Sequence, residues 1–223
     1  MVSFWILTHA RSGSTYLCDL LNSTKQLPHI GELLHPVRIR SKKSFIKRKP
    51  IVAKVLREHF EHIFTNKDKT IIKKTLPDLK FILLKRHEIE KVAVSCYISK
   101  QLNVWGILRL NIERGKEKIK NVTTEDYLNM PIKVDESELL KTYEICKNEY
   151  TAWNKFLKGE EHLEIDFNEL IKNPEQVVKE VFLFLDIEEE PKIEFDNLEY
   201  IYPFPKHPQK EQLLSILNER IEG

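Results

Sequence analysis

Val2 to Thr8 is a short run crowded with β-branched and aromatic residues and ended by a polar turn, the pattern of a buried strand. After His9-Ala10-Arg11-Ser12-Gly13, apolar Tyr16, Leu17, Leu20 and Leu21 recur at helical spacing, so the chain opens as strand, tight turn, helix. Pro50 to Phe64 predicts a further helix. The apolar segments Thr70-Ile71-Ile72 and Leu79 to Leu84 are separated at Leu76-Pro77-Asp78, where proline forces a turn. From Glu88 a helix sets Ile89, Val92, Ala93, Cys96 and Tyr97 on one face, with Val94 and Ile98 adding apolar surface elsewhere, so cover on more than one side is expected. Residues 106–134 carry mixed charge and the weakest periodicity, and predict a polar helix plus a connecting loop. Asp135 with Glu138 makes a capping-box-like start to a long helix whose apolar positions run from Leu139 to Leu157. His162 to Phe167 reads as another strand, Asn173-Pro174 as the cap of a helix carrying Val177, Val178, Val181, Phe182 and Leu185, and a last helix begins near Gln209. Strand and helix alternate, which predicts an α/β fold with a mainly parallel sheet and a ligand beyond the carboxyl ends of its strands.

The 223 residues suit one generous domain spanning 1–223, and 41% hydrophobic with 9% aromatic content excludes disordered, collagen-like and mucin-like classes. Thirty-six Lys and Arg against 34 Asp and Glu leave a net charge of +2, which excludes a nucleic-acid-binding polycation and makes any anion site local. One segment departs from this balance: residues 38–49 hold seven Lys or Arg and no acid. It reads as a solvated loop, as a lip for an acidic or lipid-borne substrate, or as a patch for peripheral contact with an anionic membrane. Cys18, Cys96 and Cys146 are odd in number and contain no C-x-x-C pair, so a reducing, cytoplasmic setting is expected. No apolar run approaches the roughly 18 to 20 residues that span a bilayer, and Phe4-Trp5-Ile6-Leu7 lacks the basic flank and length of a secretion signal.

The turn Arg11-Ser12-Gly13-Ser14-Thr15, set between a strand and a helix, aims backbone N–H groups and the positive end of a helix dipole at one point, which suits a phosphate. Gly13 allows close backbone approach, Ser12, Ser14 and Thr15 offer hydroxyls, and Arg11 can fork onto phosphate or sulfate oxygens. A plain strand-to-helix turn with Ser14 as N-cap is the bland alternative. No Gly-Lys-Ser/Thr follows, so the loop is not a Walker A motif. At this point the sequence resembles the sulfotransferase superfamily, whose loop for the 5′-phosphosulfate of 3′-phosphoadenosine 5′-phosphosulfate (PAPS) carries a basic residue, Ser, Gly and two Ser or Thr. Arg at the basic position, followed by Ser-Gly-Ser-Thr and the Leu17-Cys18-Asp19-Leu20-Leu21 helix, is most similar to the bacterial trehalose-2-sulfotransferase type. The fold implied is a P-loop-like parallel sheet flanked by helices.

A second segment agrees in order and setting. The superfamily's 3′-phosphate site is an Arg at a strand end and a Ser in the next helix; here Phe81 to Leu84 leads through Lys85-Arg86-His87 to Ser95. Arg86 precedes Ser95 by nine residues and His87 by the usual eight, so both remain candidates. Gln101 to Trp105 and Ile165 to Leu185 resemble later family blocks, and Lys206, His207 and Lys210 form a late basic segment of the kind that closes over PAPS in family members. The resemblance implies sulfuryl transfer from PAPS to a hydroxyl of a sugar, glycolipid or other small molecule, with PAP as product, Arg11 at the leaving phosphate and no metal. Glu32, in Gly31-Glu32-Leu33-Leu34-His35, stands where the trehalose type carries its catalytic carboxylate, and His35 is the alternative base. Two other readings stand beside this one. A nucleotide-dependent kinase needs a Walker lysine and a magnesium-binding Asp, and a catalytically silent PAP- or carbohydrate-binding module needs no aimed carboxylate.

Overall fold

The computed structural model describes residues 2–31, 52–64, 69–105, 109–111, 119–121, 123–198 and 206–222. Glu32, His35 and the basic stretch 38–49 lie outside the described residues. In chain order the elements are β1 (Phe4–Thr8), α1 (Ser14–Ser23), β2 (Val52–Leu56), α2 (Arg57–Ile63), α3 (Lys69–Thr75), β3 (Lys80–Lys85) and α4 (Ile89–Leu102). There follow β4 (Val104–Trp105), β5 (Arg109–Asn111), β6 (Ile119–Asn121), α5 (Thr124–Asn129), α6 (Glu136–Leu157), β7 (His162–Asp166), α7 (Phe167–Lys172), α8 (Pro174–Phe184) and α9 (Lys210–Glu222). The fold is α/β with a parallel four-stranded sheet flanked by helices, as the alternation of elements predicts. Its contacts gather into two compact units, residues 1–87 with 149–199 and residues 88–148 with 200–223.

The first unit holds the parallel sheet, in the order β2-β1-β3-β7. Its strands are apolar on both faces because helices cover both. The register pairs Phe4 with Val52 and Lys80, so alternate residues fall into two sets. Phe4, Ile6, Val52, Ile82, Leu84 and Ile165 pack with Leu17, Leu20 and Leu21 of α1 and Val178, Val181 and Phe182 of α8. Trp5, Leu7, Ala53, Val55, Phe81 and Leu83 pack on the opposite face with Phe60, Ile72, Trp153 and Phe156.

The helix expected over Pro50 to Phe64 is replaced by β2 followed by α2, which begins only at Arg57. Short apolar runs carry no decisive period. Here pairing of all five β2 residues with β1 and burial on both faces decide for the strand. Thr70-Ile71-Ile72 lies in the short helix α3, whereas Lys80–Lys85 is a strand.

In the second unit α4 buries Val92, Ala93, Val94, Cys96, Tyr97, Ile98 and Leu102, a spread wider than one stripe, and α9 packs against it. The Tyr97 hydroxyl donates to Lys133 O at 2.8 Å and accepts from Asp135 N–H at 2.8 Å, fixing the approach to α6. Asp135 caps that helix by accepting from Glu138 N–H at 3.0 Å. The polar helix and loop expected over residues 106–134 prove to hold β5, antiparallel to β4 on one side and to β6 on the other, and then α5 behind a Thr123–Asp126 capping box. Strands of three residues are too short for alternation to appear as a period. His207 is buried, with Nε2 bonded to Met130 O at 3.0 Å and Nδ1 accepting from Gln209 N–H at 3.3 Å. Both ring nitrogens are thus engaged inside its own unit. Among the described residues no helix is long and apolar enough to cross a membrane.

Trp153 ties α6 to the end of β1. Its indole Nε1–H donates to Thr8 O at 2.8 Å, and its fully buried ring meets Phe60 and Phe156 at centroid distances of 5.3 and 5.7 Å. Trp153→Phe retains an aromatic ring but leaves a buried carbonyl without this donor. Urea unfolding should report a loss of about 1–3 kcal/mol at an unchanged m-value.

Candidate functional site

The site is built on the carboxyl end of β1. Ser12 and Thr8 are both fully buried and their hydroxyls are hydrogen-bonded to each other, which folds the turn back on the strand that precedes it. Arg11 has φ 62° and Gly13 φ 89°. Glycine takes the left-handed region freely, but an arginine there costs on the order of 1 kcal/mol, and such strain concentrates where function holds it. Gly13, not Ser14, is the N-cap of α1, and no side chain caps the helix. The cap residue therefore brings no side-chain acceptor of its own to the positive end of this ten-residue helix, and Thr15 stands partly exposed in its first turn.

Lys54 reaches this turn from the neighbouring strand. It occupies the register position beside Ile6, is only 8% exposed, and donates from Nζ to Thr15 Oγ1 at 3.3 Å. A strand lysine between buried Val52 and Leu56 keeps its ammonium only if its tip finds polar company, and the turn provides it. Backbone N–H of Lys54 also donates to Gly31 O at 3.0 Å, and Gly31 bridges Ala53 in parallel. Lys54 did not enter the sequence-derived set. The signal was present as a lone charge in Val52-Ala53-Lys54-Val55-Leu56, and the helical reading of that segment hid it.

Arg86 follows β3, which lies beside β1. Its backbone is gripped at both polar groups by one phenol: Arg86 N–H donates to Tyr150 Oη at 2.6 Å, and that hydroxyl donates to Arg86 O at 2.9 Å. The Arg86 guanidinium lies over the Phe167 ring, with Cζ 4.4 Å from the centroid. Phe167 also abuts Gly13, where an added Cβ would lie well inside contact distance of the ring's Cε2 and Cδ2. His87 points elsewhere: it is 68% exposed, with Nε2 3.4 Å from Asp166 Oδ2. Arg11, Ser12, Gly13, Ser14, Thr15, Arg86 and His87 thus all belong to the first unit. Ser95 belongs to the second, partly buried on α4.

Two titratable groups of the first unit, His9 and Glu149, are displaced far from their ordinary values. His9 is buried edge-on to Tyr150, with ring centroids 4.3 Å apart, and its Nδ1–H donates to Ala10 O at 2.6 Å. Burial above all, aided by the Arg86 charge and opposed by the Ala10 bond, lowers its pKa to about 4, so the imidazole is neutral at pH 7. At the end of β2, Arg57 is buried, pairs with Glu61 Oε1 at 2.8 Å, and lies over the rings of Phe60 and Trp153 at 5.3 and 5.0 Å. Burial and the charges of Glu58 and Glu61 raise the Glu149 pKa to about 8 against the pull of Arg57.

Because folded Glu149 holds its proton to a higher pH than the unfolded chain does, its contribution to stability declines from about pH 4.5 to about pH 8. His9 has the opposite sign, costing stability as pH falls from 6.5 towards 4. Glu149→Gln should therefore melt close to wild type near pH 5 and above it at pH 8, by roughly 2–4 °C for each kcal/mol recovered. Melting curves across that range check the sign.

Residues 2–202 match the model of the sulfotransferase domain. The crystal structure of a sulfotransferase from Alicyclobacillus acidocaldarius is similar over 100% of this chain and 96% of that one, at 14% identity and a TM-score of 0.50, a likeness of fold. The sulfotransferase domain of the curacin biosynthetic pathway is similar over 97% of each chain at 16% identity and a TM-score of 0.44. That of the Synechococcus PCC 7002 olefin synthase is similar over 98% of this chain and 94% of that one, at 10% identity and a TM-score of 0.44. No curated protein matches the sequence. With nearly its whole length matched, the chain belongs to the sulfotransferase domain family.

Proposed function

We propose that the chain transfers a sulfuryl group from PAPS to a hydroxyl of a sugar, glycolipid or other small molecule and releases PAP. The observation that carries the reading is the meeting of the glycine-capped α1 terminus with Lys54, which donates to Thr15, beside the strand that leads into Arg86. A cofactor with phosphates at two positions needs two cationic points, and the parallel strands on either side of β1 supply them. When bound, PAPS supplies the activated sulfuryl group. The turn N–H groups, Arg11, Ser14, Thr15 and Lys54 neutralise the 5′-phosphate, with buried Ser12 contributing through its backbone. Arg86 takes the 3′-phosphate in preference to His87, whose imidazole faces the Asp166 carboxylate, and the part proposed for Ser95 rests on the family resemblance alone.

Transfer also needs the acceptor's proton removed. Glu32 is the proposed base and His35 the alternative. Support comes from Gly31, whose bridge to β2 and hydrogen bond from Lys54 bring the chain just before Glu32 alongside the lysine. The sugar-like acceptor rests on the Arg-Ser-Gly-Ser-Thr loop and its similarity to the trehalose type. A cytoplasmic setting rests on the three cysteines, all buried and reduced.

Thermal-shift titration separates the cofactor classes, since a ligand bound only by the folded state raises its melting point. PAP should stabilise the protein selectively over ATP and NAD. Equal shifts with all three, or none with PAP, would remove PAPS from the reading.

For the base, Glu32→Gln should lower turnover by about 10²- to 10⁴-fold with PAP affinity nearly unchanged. An active Glu32→Gln beside a dead His35→Asn would transfer the role to the histidine, and turnover would then rise with pH near the imidazole pKa.

A further inference from the structure

We propose that Phe167 is a positioning residue that holds the Arg86 guanidinium ready for a 3′-phosphate and locks it to the α1 turn; this rests on the cofactor reading above. The ring is 3% exposed and opens α7, whose start is fixed by Asp166 Oδ1 accepting from Asn168 N–H at 2.7 Å and Glu169 N–H at 3.1 Å. The Arg86 guanidinium lies over the ring at 4.4 Å, and the ring also meets Gly13, the residue that starts α1. A guanidinium lying on an aromatic face is held in one plane, and a planar guanidinium is the group that forks onto a phosphate. Tyr150 already fixes the Arg86 backbone through both of its polar groups, so the ring completes the restraint at the other end of the side chain. An arginine ordered before binding loses less rotamer entropy when the anion arrives. Because Phe167 also touches Gly13, one ring sets the offset between the two proposed phosphate contacts.

The test is calorimetry with PAP and AMP on wild type, Phe167→Leu, Phe167→Tyr, Arg86→Ala and the Phe167→Leu/Arg86→Ala double variant, beside urea unfolding of each. Loss of the ring face should cut the PAP-over-AMP preference by about five- to tenfold. Phe167→Tyr should keep that preference, and the leucine change should add no further loss in the Arg86→Ala background. A ring with a packing role only would lower stability and leave the preference intact, and that result overturns the proposal. So does an equal loss in the presence and absence of Arg86. If the leucine variant does not fold, Phe167→Met, which fills the space without a π face, replaces it. A ligand-free measurement separates this inference from the cofactor reading. In wild type the Arg86 side-chain protons should resonate upfield, shifted by the Phe167 ring current, and ordinary shifts overturn the platform itself. Upfield shifts in a protein with no preference for PAP over AMP would leave the platform standing while overturning both the cofactor reading and the role assigned to Phe167.

Discussion

The site depends on β1 being hydrogen-bonded on both sides by strands that run the same way. Phe4–Thr8 pair with Val52–Leu56 on one edge and with Lys80–Leu83 on the other. Parallel pairing sends all three chains off the sheet at the same end, so the α1 turn, Arg57 and Arg86 emerge as neighbours without any long loop reaching across. The register also settles which face each side chain takes. Lys54 lies beside Ile6 and so shares the face that α1 covers. A slip of one residue would send its ammonium into the aromatic cluster on the other side.

Burial then sets the terms for the polar groups at that edge. Trp153 donates to the Thr8 carbonyl, the Thr8 hydroxyl bonds Ser12, and Tyr150 bonds both backbone groups of Arg86. Each contact satisfies a buried or partly buried polar group, and each also fixes a residue from which a loop departs. Neutral His9 fits the same scheme. Burial above all makes a protonated imidazole costly here, the Arg86 charge adds to that cost, and the lowered pKa reflects both.

Much of this was legible from residue order. The strand, turn and helix over Val2 to Leu21, the strand before Arg86, the long helix ending at Leu157 and the strand before Phe167 carry strong patterns, and the structure contains each. Val52–Leu56 was obscured because five apolar-rich residues fit a buried strand or a buried helix equally, and only pairing with β1 separates them. The alternative of Ser14 as the α1 cap fails for a related reason. Ser14 has the chemistry of an N-cap, but the positive φ required one residue earlier selects Gly13. Tyr150 and Phe167 left no local trace, since each acts through a residue far away in sequence. Asn173 occupies the cap position of α8 as its identity suggests, yet its side chain bonds Glu169 instead.

The contact between Gly13 and Phe167 reaches beyond this one molecule. Any side chain at position 13 must displace a buried ring, and any replacement at position 167 alters the wall against which the turn closes. The effects of substitutions at the two positions are therefore coupled. A smaller residue at 167 opens space that a larger one at 13 still cannot use without left-handed strain, so the path between alternative sequences passes through variants poorer than either end. Epistasis of this kind ties a phosphate-type loop to a distant helix start, and it narrows the routes by which this turn can drift.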